Sequence, residues 1–475
     1  MTIIEERGLF WWNNQRIPES QYAPEGSVSG SLKVEDDGEI RLDLDGTLPS
    51  ARGPLARLIR RSDDVRNIQG ILKGTNDHVL LVRVVQSGGT MRTNGISSEQ
   101  FVARDCLVGS STFRKDGEPV QRYRSTRAKL VGYEGWLQMD SIAVSRRKSA
   151  LSAKYSKPKD FSYDIAEGKL SIEFGLSAPW PGQSKHHKLD ITELAYLRFT
   201  PREAVPLDQC IEQYQLLQDF LILLTDSDYC LDWPSLISAD GKKKCRLYFL
   251  TNRGSSPAPS RHECFINFPQ IRGELGQLFS TWQQMRERFG PAFYLYLGTR
   301  RGMKLFVEHR FMNMIWGLEA FDRRKFGEAE PTIALKDKID RVVGSVSIPR
   351  DKKWLVRQLR LCAEPSLEQR LHRIFIELRL PLDRKALLQF CRECAEIRND
   401  ISHFGGNRQR AGDYSAFMRH LEKRSNALAA LYHILILREI GVPSHLLDLQ
   451  ARGNWRIANM QRSLREAGLW QGRGA

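Results

Sequence analysis

The stretch "EIRNDISHFGG" (396–406) closes a segment whose apolar side chains recur every three or four residues. That spacing predicts an amphipathic helix over 383–404 with one buried face. Gly405 and Gly406 then give a strong signal for helix termination. The buried stripe would consist of Leu387, Phe390, Cys391, Cys394, Ile397, Ile401 and Phe404. A helix end requires capping groups, but it does not require an arginine, an amide, a carboxylate and an imidazole within six residues.

The polar residues of this stretch lie off the predicted stripe. Arg398 and His403 are five residues apart, which separates them by about 140° around an ideal helix. They can converge if the last turn loosens before the glycines, or if a second copy of the helix completes the site. The alternative is that both merely offset the negative end of the helix dipole.

The cysteines give little sign of a metal site or of disulfides. Cys391 and Cys394 form a CxxC pattern, but both lie on the apolar stripe. Thiols at such positions pack as small hydrophobic groups, so we favour packing over metal or redox work. The eight cysteines are otherwise scattered, which indicates free thiols in a reducing compartment.

The chain is long and basic. Its 475 residues predict two or three domains. A net charge of +16 suggests a polyanionic partner, either nucleic acid or an anionic membrane surface. The basic stretch "SRRKSALSAKYSKPKD" (145–160) is interpreted as a solvated loop in preference to a specific anion site.

Neither membrane insertion nor secretion is expected. No run approaches the roughly 18 apolar residues that a membrane-spanning helix needs. The opening "MTIIEERGLFWWNN" lacks the basic start and long apolar core of a signal peptide. The protein is therefore expected to be soluble and cytoplasmic, with no membrane partner.

Periodicity divides the chain into parts of different fold class. Strand alternation at Leu32 and Val34, a turn at Asp37-Gly38 and alternation from Ile40 predict a hairpin. The predicted fold is a multidomain α+β protein, with a β-rich domain over 1–205, a mixed α/β connecting region over 206–300 and a helical bundle over 301–475. Helices are predicted at 207–225, 273–290, 305–326, 334–345, 351–378, 383–404, 413–440 and 454–467. The 305–326 helix should bury Phe311, Ile315, Leu318 and Phe321. His420 and His433, in the 413–440 helix, are expected to serve the core or a helix cap.

Four segments carry a family resemblance. "RNDISH" (398–403) resembles the R-x4-H motif of the HEPN superfamily, with an asparagine directly after the arginine. "RFMNMIWGLEAFDRR" (310–324) looks like the first helix of an ApeA-like HEPN domain. "GSVSGSLKVEDDGEIRLDLDG" (26–46) and "LVGYEGWL" (130–137) look like the ApeA N-terminal domain. One departure is Asp322, since a histidine often occupies that place in the family.

The resemblance implies a metal-independent endoribonuclease that acts as a homodimer and needs no cofactor. His403 would serve as base or acid, and Arg398 would bind the phosphate. Asn399 would bond the phosphate or orient His403, and Asp400 would orient a neighbour or be structural. Glu319 would hold Arg398 or His403, although an ordinary pair with Arg323, four residues on, is an equal alternative.

The role that the resemblance implies is anti-phage defence by abortive infection. The β-rich part would sense or regulate, and the HEPN part would cut host or phage RNA, such as tRNA, once a phage-derived trigger releases it. The alternative is a non-catalytic HEPN protein that binds RNA or a partner as a sensor or regulator. A metal-dependent nuclease is a weaker rival, since we find no acidic cluster with convincing spacing.

Overall fold

The computed structural model describes most of the chain, namely residues 2–19, 21–49, 66–92, 94–113, 121–178, 190–301, 305–327, 333–362, 364–402, 414–450 and 454–470. It forms two compact units. The first unit contains Met1–Asp219 and Asp228–Ala258, and the second contains Phe220–Ser227 and Pro259–Ala475. Because the first is rich in strands and the second is helical, the predicted α+β class is confirmed. The boundaries predicted after residues 205 and 300 stay predictions.

The first unit is built on one antiparallel sheet of twelve strands within the described residues, in the order β10-β11-β12-β7-β13-β14-β6-β3-β2-β1-β4-β5. Strand β6 pairs with β5 as well as β3, which closes six of the strands into a ring. The strands are β1 (Thr2–Trp12), β2 (Val28–Glu35), β3 (Ile40–Leu44), β4 (Arg66–Leu72), β5 (His78–Thr90), β6 (Ser98–Gly109), β7 (Tyr123–Lys129), β8 (Ile142–Arg147), β9 (Ala150–Tyr155), β10 (Phe161–Ile165), β11 (Gly168–Ser177), β12 (Thr192–Pro201), β13 (Ser235–Ser238) and β14 (Lys244–Phe249). A one-turn helix, α1 (Glu134–Leu137), interrupts them.

The hairpin predicted from alternation is confirmed. Leu32 pairs with Leu42, and Val34 pairs with Ile40. All four side chains are buried, while the residues between them are exposed or half-buried. Gly38 takes a φ of +86° in the turn, a conformation that glycine adopts without strain.

The basic stretch at 145–160 is a solvated hairpin rather than a loop. Strands β8 and β9 pair only with each other among the described strands. Nearly every residue of the two strands is exposed. Residues 141–159 contain six lysines and arginines and no aspartate or glutamate, so the hairpin carries a concentrated positive charge.

The second unit is helical and is centred on a long apolar helix. Its helices are α3 (Phe268–Ile271), α4 (Leu275–Phe289), α5 (Pro291–Gly298), α6 (Val307–Phe326), α7 (Ile333–Gly344), α8 (Pro349–Cys362), α9 (Leu367–Ile376), α10 (Arg384–Ser402), α11 (Tyr414–Glu439) and α12 (Trp455–Glu466), with a 3₁₀ turn at Ser444–Leu447. The preceding helix α2 (Leu207–Thr225) matches its predicted bounds. None of the described helices combines the length and apolar content needed to cross a membrane.

Helices α6 and α11 pack closely in the core of this unit. The predicted stripe of α6 is fully buried at Phe311, Ile315, Leu318 and Phe321. A Cβ added at Gly317 would lie 2.5 Å from the Tyr432 hydroxyl of α11. Any side chain at position 317 would therefore require the buried Tyr432 ring or the helices themselves to shift.

The single helix predicted over 351–378 is wrong, because the structure has two helices there. Pro365 lacks a backbone N–H and disfavours helical backbone at the residue before it. Ser366 then starts α9 with a capping box, in which Gln369 N donates to Ser366 Oγ at 3.3 Å and Ser366 N donates to Gln369 Oε1 at 2.9 Å. The break brings Glu364 and α9 beside α6, where the candidate site is built.

Candidate active site

Helix α10 carries the candidate site at its C-terminal end. Its predicted stripe is buried at Leu387, Phe390, Cys391, Cys394 and Ile397, and Ile401 is half-buried. Both cysteines are free thiols, and burial raises the pKa of each. The predicted packing of these thiols is therefore confirmed. With one face of α10 fixed in the core, the orientation of Arg398 beside it is fixed as well.

Arg398 lies where α10 meets α6. Its side chain is 30% exposed, and Nη2 lies 3.6 Å from Glu319 Oε2. Nη1 donates to Asn399 Oδ1 at 3.2 Å. Nε is buried and has no hydrogen-bond partner among the described residues. The guanidinium is thus held in place by long contacts, and it keeps donors available for an anion.

Glu319 contacts both of the arginines considered from the sequence, Arg398 and Arg323. Its carboxylate contacts Arg398 through one oxygen and lies 3.5 Å from Arg323 Nη2 through the other. Because Arg323 shares it, the carboxylate only partly neutralises Arg398. The first helix of the domain therefore positions the arginine that the later helix supplies.

The Arg398–Glu319 contact is one end of a continuous ion-pair chain. Arg323 pairs with Glu364 at 3.1 Å, and Glu364 pairs with Arg370 at 2.9 Å. Arg370 in turn lies 2.9 Å from Asp322, which also pairs with Arg373. The members of this ion-pair chain, in order, are Arg398, Glu319, Arg323, Glu364, Arg370, Asp322 and Arg373. Four guanidinium groups against three carboxylates leave it with one net positive charge.

Asp322 is the buried carboxylate that joins Arg370 and Arg373 in this ion-pair chain. Its role there was not predicted from the sequence. Its exposure is 0%, and its oxygens accept hydrogen bonds from Arg370 and Arg373. The hydrogen bond with Asp322 raises the pKa of Arg373. A sequence signal existed, since Asp322 follows Leu318 by four residues and so lies on the buried stripe of α6. A carboxylate at such a position requires cationic partners.

The other predicted site residues differ in how close they lie to Arg398. Asn399 is exposed and touches Arg398. Asp400 is half-buried, and its two-residue offset turns it about 200° from Arg398 around the helix, away from that guanidinium. His403 lies outside the described residues, directly after α10 ends at Ser402. Thus α6 and α10 bring together Arg398, Asn399 and Glu319.

The described residues contain no group of three or more histidine, cysteine, aspartate or glutamate side chains arranged to hold a metal. The carboxylates nearest Arg398 are instead bound to arginines along the ion-pair chain. The seven-residue ion-pair chain carries one net positive charge, which favours binding of phosphate oxygens.

Helices α10 and α6 thus pair an arginine near the end of one helix with a glutamate of an earlier helix. The model of the family described as Apea-like HEPN matches residues 312–446, a range that includes Glu319, Arg398 and His403. The model described as ApeA N-terminal domain 1 matches residues 5–282, more than half of the chain. The chain belongs to the ApeA family, and it carries an ApeA-like HEPN domain of the defence-effector type. No curated protein and no solved structure matches it.

Proposed function

We propose that this protein is a metal-independent endoribonuclease that cuts host or phage RNA, such as tRNA, when infection triggers it. The observation that supports the proposal is the position and incomplete neutralisation of the Arg398 guanidinium. It is ordered by Glu319, partly exposed, and only partly neutralised. Such a guanidinium is suited to the two non-bridging oxygens of a phosphodiester. The HEPN family match supports the reaction class.

RNA supplies its own nucleophile in this reaction. A base, for which His403 is our candidate, takes the proton of the 2′-OH, and O2′ then forms a bond to phosphorus. The bond from phosphorus to O5′ breaks, and an acid gives O5′ a proton. Arg398 stabilises the extra negative charge on the phosphorane in between. The products are a 2′,3′-cyclic phosphate and a 5′-OH.

The acid and base require two groups, whereas each chain contributes one His403. A two-fold dimer would supply two copies of Arg398 and His403 across one interface. Asn399 is exposed next to Arg398, so it is available to bond a phosphate oxygen or to orient the imidazole. We therefore propose a homodimer as the active form.

The β8–β9 hairpin supports RNA as the partner. It is exposed and basic, and phosphate contacts from lysine and arginine dominate nucleic-acid affinity without regard to sequence. The hairpin suits the catalytic proposal and the alternative of a non-catalytic RNA-binding protein equally. Cleavage of a defined RNA distinguishes the catalytic proposal from the binding alternative.

Cleavage is expected to continue in excess EDTA and to leave 2′,3′-cyclic phosphate ends, because the nucleophile is the RNA's own hydroxyl. The measurement uses extracts of phage-infected cells that express the protein, a defined RNA, and chemical analysis of the new ends. An RNA with one 2′-deoxynucleotide at the mapped cleavage position is the control and should stay intact at that bond. Loss of cleavage in EDTA with recovery in Mg²⁺ would instead favour a metal-dependent nuclease, and absence of new ends would favour the binding protein.

Glu319→Gln is expected to slow cleavage by roughly 10- to 100-fold, the range for removal of a group that orients a site residue. Binding of a 2′-O-methyl RNA, which cannot be cut, should not weaken, because the variant leaves the site more positive. Cleavage rates and filter-binding affinities measure the two effects.

The matched control for this positioning role is Glu364→Gln. Glu364 pairs with Arg323 and Arg370 in the same ion-pair chain but does not touch Arg398. It should keep the wild-type rate within about threefold. Equal losses of cleavage rate in the two variants would show that the ion-pair chain affects activity only through the stability of the protein.

A further inference from the structure

A cavity of about 330 Å³ lies within the second unit, apart from Arg398 and Glu319. Its size falls in the range of roughly 300–1,000 Å³ that is typical of small-molecule sites. Helices α6, α11 and α12 and the turn after α5 form its walls, together with Asp226. The lining is mostly polar and includes Arg300, Arg310 and Arg462.

Arg310 is the least compensated charge in this cavity. Its side chain is half-buried and makes neither a hydrogen bond nor an ion pair within the described part of the chain. Burial lowers the pKa of its guanidinium, and the nearby charge of Arg300 lowers that pKa further. The carboxylates of Glu422 and Asp226 act in the opposite direction only from beyond contact. A guanidinium in this setting gains from an anionic partner.

The other charges of the cavity are either paired or exposed to solvent. Arg300 donates to the Asp226 carboxylate, whereas Arg462 is exposed and donates to the neutral amide of Asn459. Glu466 is exposed. His433 lies against the same wall, and burial lowers its pKa to about 4, so the imidazole is neutral at pH 7. An anion would therefore meet Arg310 with its charge available.

Neutral hydrogen-bonding groups complete the cavity. Asn426, Asn459 and Ser463 line it. The Tyr296 hydroxyl and Nδ1 of the neutral His433 share a hydrogen bond of 2.7 Å, and the hydroxyl keeps further hydrogen-bonding capacity. Amides and hydroxyls of this kind recognise sugar hydroxyls or a base edge, whereas guanidinium groups recognise phosphate.

The lining is drawn largely from outside the family matches. Arg300 and Arg310 fall between the two matched ranges, and Asn459 and Arg462 follow the second. This cavity is therefore a separate feature from the candidate site built on Arg398, and nothing in it depends on RNA cleavage.

We propose that this cavity binds a phosphate monoester of nucleotide size, with Arg310 holding the phosphate and the asparagine side chains bonding the remainder. The probes are 5′-AMP, inorganic phosphate and adenosine, titrated calorimetrically into the full-length protein. We expect 5′-AMP to bind most tightly, phosphate more weakly, and adenosine not measurably.

Arg310→Met is the deciding variant. It should weaken 5′-AMP binding by roughly 10- to 100-fold, the value of a charge-assisted hydrogen bond. It should not lower the midpoint of thermal unfolding of the ligand-free protein, because it removes a cation that lacks a partner in the described structure. An unchanged midpoint also shows that the variant is folded.

The matched control is Arg465→Met, on the same helix as Arg462 but exposed and outside the cavity lining. It should leave 5′-AMP affinity within twofold of wild type. Absence of binding by both 5′-AMP and phosphate would overturn the proposal. Binding that is equally strong in wild type and Arg310→Met would overturn it too, as would a loss that Arg465→Met reproduces.

Discussion

Replacement of Arg398 by alanine is expected to reduce RNA cleavage by about 10³-fold, within the range for loss of an arginine that stabilises charge in phosphoryl transfer. Among the described residues the side chain makes one ion pair, at 3.6 Å, and it is 30% exposed. A pair of this type contributes about 0–1 kcal/mol to folding, so stability should hardly change. The measurement is the initial rate on a defined RNA in extracts of infected cells, alongside thermal unfolding of the purified variant.

Arg392→Ala is the matched control, since Arg392 lies on the same helix, is 52% exposed and pairs with Glu368 in a comparable way. Its cleavage rate should stay within about threefold of wild type. Arg398→Lys should recover only part of the lost rate, because an ammonium keeps the charge but lacks the planar fork. An alanine variant that retains more than a tenth of the rate would remove Arg398 from the mechanism.

Asp322→Ala is expected to destabilise the protein by about 3–5 kcal/mol, the cost of breaking a buried ion pair from one side. The substitution would leave Arg370, whose side chain is 5% exposed, and Arg373 without their shared carboxylate. Within the described residues, Glu364 and the Pro365 carbonyl would remain as partners of Arg370. Urea unfolding of the full chain measures the loss.

Glu396→Ala is the control for Asp322, because Glu396 is an exposed carboxylate on α10. It should change stability by less than about 0.5 kcal/mol. Adding Arg370→Met and Arg373→Met to Asp322→Ala should restore part of the loss, since apolar side chains tolerate burial without partners. A loss below about 1 kcal/mol in the single variant would show that solvent reaches the two arginines.

The parts of the fold that were predictable are those governed by local periodicity. Leu32, Val34, Ile40 and Leu42 alternate because one face of their hairpin is buried, and the α10 stripe recurs because that helix packs on one side. Closure of the strand ring was not predictable, since it depends on β6 pairing with both β3 and β5. The break before α9 was readable from Pro365, but the helical pattern on both sides concealed it.

The candidate site, too, was only partly predictable from the sequence. The quoted stretch identifies Arg398 and its neighbours, and the α6 pattern places Glu319 on the edge of a buried stripe. The contacts of Asp322 with Arg370 and Arg373 join residues about 50 positions apart, and only the tertiary fold sets such pairings. The cavity around Arg310 combines five separate segments, so no local pattern indicates it. The roles of Asn399, Asp400 and His403 stay predictions.

The most direct test is sequencing of RNA 3′ ends in phage-infected cells that express either wild type or Arg398→Ala at equal levels. The ribonuclease proposal predicts new 2′,3′-cyclic phosphate ends at defined positions in the wild-type cells, and their absence with the variant. The same set of ends in both strains, or no new ends in either, would contradict it.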